Sequence, residues 1–245
     1  RPPRSTQGVS SAASDVYKRQ VLYEGGAALV GGHTSEGAEL TLGFTVTGTI
    51  DRDKILRKTG LMPGDRIILT KPLGTGTLLA ADMRGKAMAR WVDGAIQSML
   101  VSNRTAAEVV QAYETHACTD VTGFGLLGHL VEMTKHSNVD VSLALDSVPF
   151  LDGATATAGA GFLSSLQPQN IRLRRAITNV AAVGDDPRYP LLFDPQTAGG
   201  LLVAIPAKNA EACVAQLRDV GYEDSTLIGT VEPQSDRDGP ITIEV

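Results

Sequence analysis

The 245-residue chain is poor in cysteine, in positive charge and in long apolar runs, and these shortages exclude several classes of protein. Its two cysteines, Cys118 and Cys213, lie far apart and outside any Cys-x-x-Cys spacing, so we expect neither a disulfide framework nor a zinc site, and a cytoplasmic location fits. No apolar run approaches the ~20 residues that span a bilayer, so we expect no membrane contact. A net charge of −5 gives no overall attraction to nucleic acid, which we therefore exclude as a partner.

Glycine, by contrast, is abundant: the chain holds 26 glycines, whereas aromatic residues make up only 4%. Hydrophobic residues account for 42% and mean hydropathy is zero, which is typical of a globular protein with one large or two modest domains. Because glycine is used where the backbone turns sharply or approaches a ligand closely, the glycine-rich loops are candidate functional segments.

The start of the chain differs from the rest in its composition and its pattern of apolar residues. Residues 1–20 contain basic residues, serines and a proline pair, but no apolar periodicity and no apolar segment of the kind found in signal peptides. The run from Val9 to Gln20 resembles translated adapter sequence. We therefore interpret residues 1–20 as a non-native, disordered leader joined to a truncated gene.

Hydrophobic periodicity predicts an α+β protein with mixed connections. Alternating apolar and polar residues predict a half-buried strand over Glu39–Ile50. Further strands are predicted at Arg66–Thr70, Val139–Leu145 and Leu201–Ile205, and as a closing pair around the Asp238-Gly239 turn. Helices are predicted at Thr77–Met83, Trp91–Leu100, Leu126–His136 and Asn209–Val220, with one more beginning at an Asn103 cap.

Four glycine-rich loops each adjoin the end of a strand or helix. Glycine lets backbone N–H groups converge on phosphate oxygens, and a helix N-terminus adds partial positive charge. None of the loops fits the Walker spacing, and no G-x-G-x-x-G opens a helix after a strand, so two common nucleotide folds are disfavoured. For any one loop taken alone, a structural turn is favoured over a ligand site. The loops are Gly31–Thr34, Lys71–Gly76, Thr119–Gly125 and Asp194–Gly200.

Asp120 is the candidate metal ligand. It precedes Gly123, Gly125 and the predicted helix at Leu126, so a magnesium ion that bridges to phosphates would be stabilised by its carboxylate and, through the phosphates, by the helix N-terminus. An equally good interpretation makes Asp120 or Thr122 the N-cap of that helix. One carboxylate cannot define a magnesium site, because Mg²⁺ takes one or two protein carboxylates together with phosphate oxygens and waters.

The remaining chemistry-bearing residues are ambiguous or structural. His33 lies in a glycine loop where it could donate to phosphate, although a solvated side chain is favoured. Cys118 is interpreted as a small buried residue rather than a nucleophile. Lys71 could contact phosphate or lie exposed at a strand end, and Asp194 could supply a carboxylate or form a turn, so their roles stay open. The other histidines show no metal-ligand spacing and are interpreted as structural: His116, His129 and His136.

Four segments, taken in order, carry a resemblance to a known family: GGHTSEGAELTLGFTVTG, LTKPLGTG, ACTDVTGFGLLGHL and LLFDPQTAGGLL. From about Val21 to Ile205 or beyond, the chain resembles selenophosphate synthetases, also called selenide, water dikinases. The resemblance implies the aminoimidazole ribonucleotide synthetase-like fold. In that fold, an N-terminal α/β domain contributes strands to a barrel across a homodimer, and a C-terminal α+β domain covers it.

The same resemblance implies a reaction and a site. Family members convert ATP, selenide and water into selenophosphate, AMP and orthophosphate with magnesium, in a site that works mainly by positioning and neutralising phosphate oxygens. By motif, Asp120 resembles a magnesium-binding aspartate, and Gly31, Gly32 and His33 resemble the segment that contacts ATP from the neighbouring subunit. Mg²⁺ is therefore the expected cofactor, and ATP and selenide are the expected substrates.

The chain also departs from the family pattern. Family members carry, before the GGHT segment, a catalytic Cys or selenocysteine, a Lys and further metal-binding aspartates, and none of these has a counterpart here. The resemblance therefore predicts a leader over residues 1–20, a remnant of the ATP-binding domain over 21–54 and a complete C-terminal domain over 55–245. We expect this chain alone to be inactive, with no catalytic residue of its own. Whether the full-length protein uses Cys or selenocysteine stays open.

Two other interpretations stay open. A thiamine-monophosphate kinase-like or hydrogenase-maturation protein of the same superfamily would share the fold, but should lack the DPQTAGG and KPLGTG segments. The chain could instead be a non-catalytic dimerisation or interaction module that has lost its active site.

Overall fold

The computed structural model describes residues 20–33, 35 and 43–245 of the chain. The chain divides into two compact units, one that ends at Thr49 and one that comprises Ile50–Val245. In the first unit, residues 20–24 are helical. The predicted leader lies outside the described residues except for Gln20. The domain boundaries predicted after residues 20 and 54 stay predictions.

The strand predicted over Glu39–Ile50 is not formed over residues 43–50, which belong to no helix or strand. Residues 39–42 lie outside the described part of the chain. Phe44 and Val46, which the alternating pattern places on one apolar face, are 60% and 83% exposed. The prediction is wrong here because alternation favours a strand only when a neighbouring strand pairs with it, and none of the described strands pairs with residues 43–50.

The second unit is built on one mixed six-stranded sheet. Its strands are β1 (Asp65–Leu69), β2 (Ala117–Asp120), β3 (Val139–Ala144), β4 (Leu201–Pro206), β5 (Thr226–Pro233) and β6 (Ile241–Glu244). The order across the sheet is β2-β4-β1-β5-β3-β6, and all neighbours are antiparallel except β3 and β6. The strands predicted at Arg66–Thr70, Val139–Leu145 and Leu201–Ile205 are confirmed to within one residue at either end.

The two closing strands exist, but they do not form the hairpin that the Asp238-Gly239 turn predicts. β5 pairs with β3 on one side and β6 pairs with β3 on the other, so β3 separates them. Residues 234–240 therefore form a crossover to the far side of β3 instead of a tight turn. Gly239 packs against the carbonyl oxygen of Ala176, which a Cβ atom would approach to 2.5 Å, so this glycine serves close packing.

Helices occupy the connections between the strands. They are α1 (Thr75–Asp82), α2 (Ala89–Leu100), α3 (Arg104–Gln111), α4 (Gly125–Ser137), α5 (Ala154–Gly159), α6 (Gln167–Asn170), α7 (Val180–Val183) and α8 (Ala207–Asp219), with 3-10 turns at Arg52–Lys54, Leu145–Ser147, Ile171–Ala176 and Tyr189–Phe193. The helices predicted from periodicity correspond to α1, α2, α3, α4 and α8, and each is confirmed. Among the residues that the structure describes, no helix has the length and apolar character needed to span a bilayer.

The sheet is packed with apolar side chains on both faces. Adjacent residues of β1 point to opposite sides, so Ile67 lies in one apolar cluster and Ile68 in the other. The larger cluster includes the buried face of α4, which contributes Leu126, Leu127 and Leu130. The second cluster includes the buried faces of α3 and α8. These two layers fix the ends of β1, β2 and β4, which the candidate loops adjoin.

Candidate functional site

Three of the glycine-rich loops meet at one edge of the sheet. β1 and β2 end at this edge and β4 begins there, because both strands run antiparallel to β4: Leu69 lies opposite Leu202, and Asp120 opposite Leu201. The loops are the KPLGTG loop (residues 71–76), the Asp120 loop (residues 120–125) and the DPQ loop (residues 194–200). The fold therefore brings together segments that lie far apart in the sequence.

Asp120 is the last residue of β2, and it is exposed at this edge. Among the described residues its carboxylate accepts no hydrogen bond and joins no ion pair. Its negative charge acts on its neighbours: burial, and after it the charge of Asp120, raises the pKa of Cys118 to about 12. Both carboxylate oxygens of Asp120 are therefore available to a cation.

The alternative interpretation of Asp120 or Thr122 as a helix cap is wrong. Phe124 occupies the N-cap position of α4, and no side chain there accepts a hydrogen bond from the first turn. Thr122 lies two positions earlier in the chain, and Asp120 four. The helix begins at Gly125 with a positive φ of 69°, a conformation that glycine adopts without strain.

The backbone of the Asp120 loop is tied to the DPQ loop. The Val121 N–H donates to the Gly200 carbonyl at 2.8 Å, and the Gln196 N–H donates to the Thr122 carbonyl at 3.0 Å. Gly199 packs so closely on Val121 that a Cβ atom would lie 2.0 Å from the Val121 carbonyl oxygen. The two loops are therefore one connected structure, although the Asp120 side chain takes no part in the connection.

His129, on the second turn of α4, also contacts the Asp120 loop. The residue is 6% exposed, and its Nε2 accepts a hydrogen bond from the Thr122 N–H at 3.0 Å. Burial lowers the pKa of His129, although Asp120 and Glu132 act in the opposite direction. The ring is therefore neutral near pH 7, with its proton on Nδ1 because Nε2 is the acceptor. This contact agrees with the structural role predicted for His129.

The KPLGTG and DPQ loops form a single internal cap. The Gln196 Oε1 accepts hydrogen bonds from the N–H groups of Gly74 and Thr75 at 3.0 and 3.2 Å, and from the Thr75 hydroxyl at 3.1 Å. The next N–H, that of Gly76, donates to the Asp194 Oδ2 at 3.0 Å. These N–H groups at the start of α1 are thus bonded within the protein, so they are not available to a phosphate.

Asp194 is fully buried beneath this cap. Burial raises the pKa of Asp194 to about 7, although the hydrogen bonds from Thr77, Gln196 and Gly76 act in the opposite direction. Its Oδ1 is buried and has no hydrogen-bond partner. Gly76 is required beside it, because a Cβ atom at that position would lie 2.6 Å from the Asp194 Oδ1. Asp194 is therefore part of the internal cap and not an open carboxylate.

Lys71 is buried as well, contrary to the interpretation as an exposed lysine at a strand end. It is 4% exposed, and its Nζ donates to the carbonyls of Ser98, Val101 and Ala198 at 3.2, 2.5 and 2.9 Å. These bonds use all the donors of the ammonium group. Burial lowers the pKa of Lys71. Lys71 ties the end of α2 to the DPQ loop, which leaves no free donor for phosphate.

The remaining glycine-rich loop lies in the first unit and is described separately. Gly31, Gly32 and His33 are exposed, and a Cβ atom added to either glycine would meet nothing within 4 Å. Within the described part of the chain, the His33 side chain makes no hydrogen bond or ion pair. The solvated interpretation of His33 fits these surroundings, and its predicted contact with ATP stays a prediction.

The other candidate nucleophiles and ligands are structural. Burial raises the pKa of Cys213 to about 11, and both this thiol and that of Cys118 are buried and free, so neither forms a thiolate near neutral pH. His116 Nδ1 contacts the Asp65 carboxylate at 2.9 Å. The part of the chain that the structure describes contains no group of three or more His, Cys, Asp or Glu side chains that could hold a metal ion.

Sequence reasoning did not identify the connecting roles of Gln196 and His129. Gln196 lies within a glycine-rich segment. Nothing in the local pattern indicates that it caps a helix whose first residue lies 121 positions earlier. For His129, the signal was its place on the buried stripe of α4, beside Leu126 and Leu130. A histidine on such a stripe needs a polar partner, and the N–H of the preceding loop is within reach.

Comparison with known proteins identifies the family. Residues 62–239 match the family described as "AIR synthase related protein, C-terminal domain". A selenide, water dikinase of Pelobacter propionicus is 42% identical over 210 residues, which cover 86% of this chain and 60% of that protein. The chain thus spans about 60% of the length of the curated relatives it matches.

Solved structures support the same fold. A structure of hydrogenase maturation protein HypE in complex with ATP has a TM-score of 0.57 at 21% identity, and covers 80% of this chain and 51% of that chain. A thiamine-monophosphate kinase from Stenotrophomonas maltophilia has a TM-score of 0.54 at 19% identity, over 80% of this chain and 54% of that one. The predicted α+β, AIR synthase-like fold is confirmed, and this chain belongs to the family of AIR synthase related proteins, whose C-terminal domain it contains.

Proposed function

We propose that the protein represented by this chain is a selenophosphate synthetase, an ATP-dependent phosphotransferase that converts selenide, ATP and water into selenophosphate, AMP and orthophosphate. The observation that carries the proposal is 42% identity over 210 residues to a protein named selenide, water dikinase. The likeness to HypE and to thiamine-monophosphate kinase lies below 25% identity and supports the fold alone.

Asp120 is proposed to be one ligand of Mg²⁺. Its exposed carboxylate has no partner among the described residues, so its oxygens fit a hard cation that prefers oxygen ligands. One protein carboxylate is compatible with Mg²⁺, because phosphate oxygens and waters complete its coordination. When bound, the ion neutralises charge on the phosphate oxygens. The chain's own contribution is to hold Asp120 at the edge where three loops converge.

Gly31, Gly32 and His33 are proposed to contact the ATP of the neighbouring subunit in a homodimer. The open space around both glycines supports this role, because their backbone is accessible to a ligand.

We also propose a cytoplasmic location. The Cys or selenocysteine and the Lys that the family resemblance assigns to catalysis have no counterpart in these residues, so we propose that this chain alone does not form selenophosphate.

The proposal is tested by joining this chain to the N-terminal part of a relative named selenide, water dikinase, and measuring AMP formation that depends on selenide. We expect activity in the joined protein and none in the chain alone. Asp120→Asn should reduce turnover by orders of magnitude without loss of the fold. Asp219→Asn is the matched control, since Asp219 is another exposed aspartate with no ion pair among the described residues.

Two results would count against these assignments. If the joined protein folds and binds ATP but forms AMP equally fast without selenide, the substrate assignment is wrong. If Asp120→Asn keeps most of its activity at limiting magnesium, the metal assignment is wrong.

A further inference from the structure

His129 connects helix α4 to the loop that precedes it. Its Nε2 accepts the Thr122 N–H, which lies seven residues earlier in the chain, so the helix reaches back to the loop that precedes it. The Thr122 hydroxyl lies 3.4 Å from the same nitrogen. Within the described part of the chain, this N–H makes no other hydrogen bond.

Thr122 makes backbone hydrogen bonds both to the DPQ loop and to helix α4. Its carbonyl accepts hydrogen bonds from the Gln196 and Gly125 N–H groups, each at 3.0 Å. Its N–H is bonded to His129, so both polar groups of its backbone are fixed. Asp120 lies two residues before Thr122 in the chain. The Thr122 backbone therefore sets the direction in which the chain leaves Asp120, the last residue of β2.

The imidazole itself is held in place. His129 is 6% exposed, and the Phe124 ring lies over it with 5.8 Å between ring centroids and a tilt of 55°. Its Nδ1 is buried without a hydrogen-bond partner. A buried donor without a partner is unfavourable, so the ring would gain by rotating towards an acceptor if nothing held it. The Thr122 bond is the polar contact that offsets this cost.

We propose that His129 is a positioning residue: by accepting the Thr122 N–H, it fixes the backbone of the Asp120 loop and holds the Asp120 carboxylate in the orientation that binds a divalent cation. The inference rests on the proposed function, since the cation is the one assigned to Asp120. Replacing a group that orients a metal ligand from outside the coordination shell typically lowers metal affinity by about 10- to 100-fold. His129 does not touch the cation.

The test uses this chain joined to the N-terminal part of a relative, as above, with Mn²⁺ in the presence of ATP as the probe, because phosphate oxygens complete the coordination of a cation that Asp120 binds. Three quantities are measured in the parent, in His129→Leu and in His129→Gln: Mn²⁺ affinity, exchange of the Thr122 amide hydrogen, and thermal unfolding. Leucine removes the acceptor, whereas the glutamine Oε1 can replace Nε2. We expect His129→Leu to bind Mn²⁺ with about 10-fold lower affinity and to exchange the Thr122 amide hydrogen faster than the parent. Both properties should recover in His129→Gln. His129→Met replaces the leucine variant if that does not fold.

Several outcomes separate this inference from the proposed function. Asp120→Asn is measured alongside, with Asp219→Asn as its control. If the parent binds no Mn²⁺, or Asp120→Asn binds it equally well, the cation assignment and the inference both fail. If Asp120→Asn loses binding while His129→Leu folds and binds like the parent, only the inference fails. A purely structural histidine would lower the unfolding temperature in the leucine and glutamine variants alike and leave Mn²⁺ affinity unchanged, which also overturns the inference.

Discussion

Asp120 and Asp194 lie on neighbouring loops at the same edge of the sheet, and their carboxylates have opposite surroundings. Asp120 is exposed, and among the described residues it has no hydrogen bond or ion pair. Asp194 is fully buried and accepts hydrogen bonds from Gly76 and Gln196. Each aspartate lies in a glycine-rich segment, so the sequence makes them look alike. The difference shows that an acid beside glycines stays exposed or becomes a structural cap according to which N–H groups the fold brings to it.

The comparison also separates the roles of the glycines. In the KPLGTG and DPQ loops, glycine allows two segments of the same chain to approach, as Gly76 does beside Asp194 and Gly200 beside Lys71. In the Asp120 loop, a Cβ atom at Gly123 would meet nothing within 4 Å. A ligand can approach the backbone at Gly123, whereas protein atoms already occupy the space beside Gly76.

The largest expected difference between the two aspartates is in the dependence of stability on pH. Because the folded-state pKa of Asp194 is raised to about 7 from an ordinary value near 3.8, its stabilising effect is complete below about pH 4 and is lost as pH rises through 7. At roughly 1.4 kcal/mol per pKa unit, the loss amounts to about 4 kcal/mol. Urea unfolding at several pH values measures it. Asp194→Asn should lack this fall, and parallel profiles for parent and variant would contradict the assignment.

A somewhat smaller loss is expected from Gln196→Ala. The substitution leaves the Gly74 and Thr75 N–H groups without their acceptor in a buried place, and unfolding free energy should fall by about 3 kcal/mol. Urea unfolding checks this value. Gln169→Ala is the matched control, since that side chain is exposed and makes no hydrogen bond among the described residues. Equal stability of the two variants would show that the cap does not hold α1.

The smallest change is expected from Asp120→Ala. An exposed carboxylate without a partner contributes little to stability, so the unfolding free energy should change by less than about 0.5 kcal/mol. The same unfolding experiment, run without divalent cations, measures it. A loss of 2 kcal/mol or more would mean that Asp120 is structural, and the contrast with Asp194 would disappear.

The positions of the helices and most strands could be predicted from sequence because their signals are local. The apolar stripe of α4 and the continuous apolar run of β4 each specify burial from a few consecutive residues. The pairing of β6 with β3 could not be predicted in this way. It depends on a crossover whose residues look like a tight turn, and Asp140 in β3 is buried because Ser235 of that crossover bonds to it.

The same distinction between local and distant signals applies to the candidate site. Asp120 could be singled out because a carboxylate followed by glycines and a helix is a local pattern, and the structure leaves it open to a cation. The roles of Lys71 and Asp194 could not be predicted. Their partners, Ala198 and Gly76, lie more than 100 residues away in the sequence, and only the antiparallel pairing with β4 brings them into contact.

The place of β1 in the centre of the sheet has a consequence for synthesis of the protein. β1 is bounded by β4 and β5, and Ile67 lies opposite Ala204 on one side and Gly229 on the other. Both neighbouring strands leave the ribosome long after β1. This apolar strand therefore remains unpaired while most of the domain is translated. Such long-range pairing slows folding and exposes the nascent chain to aggregation. Chaperone binding to translating ribosomes should therefore be strongest between the emergence of β1 and that of β5.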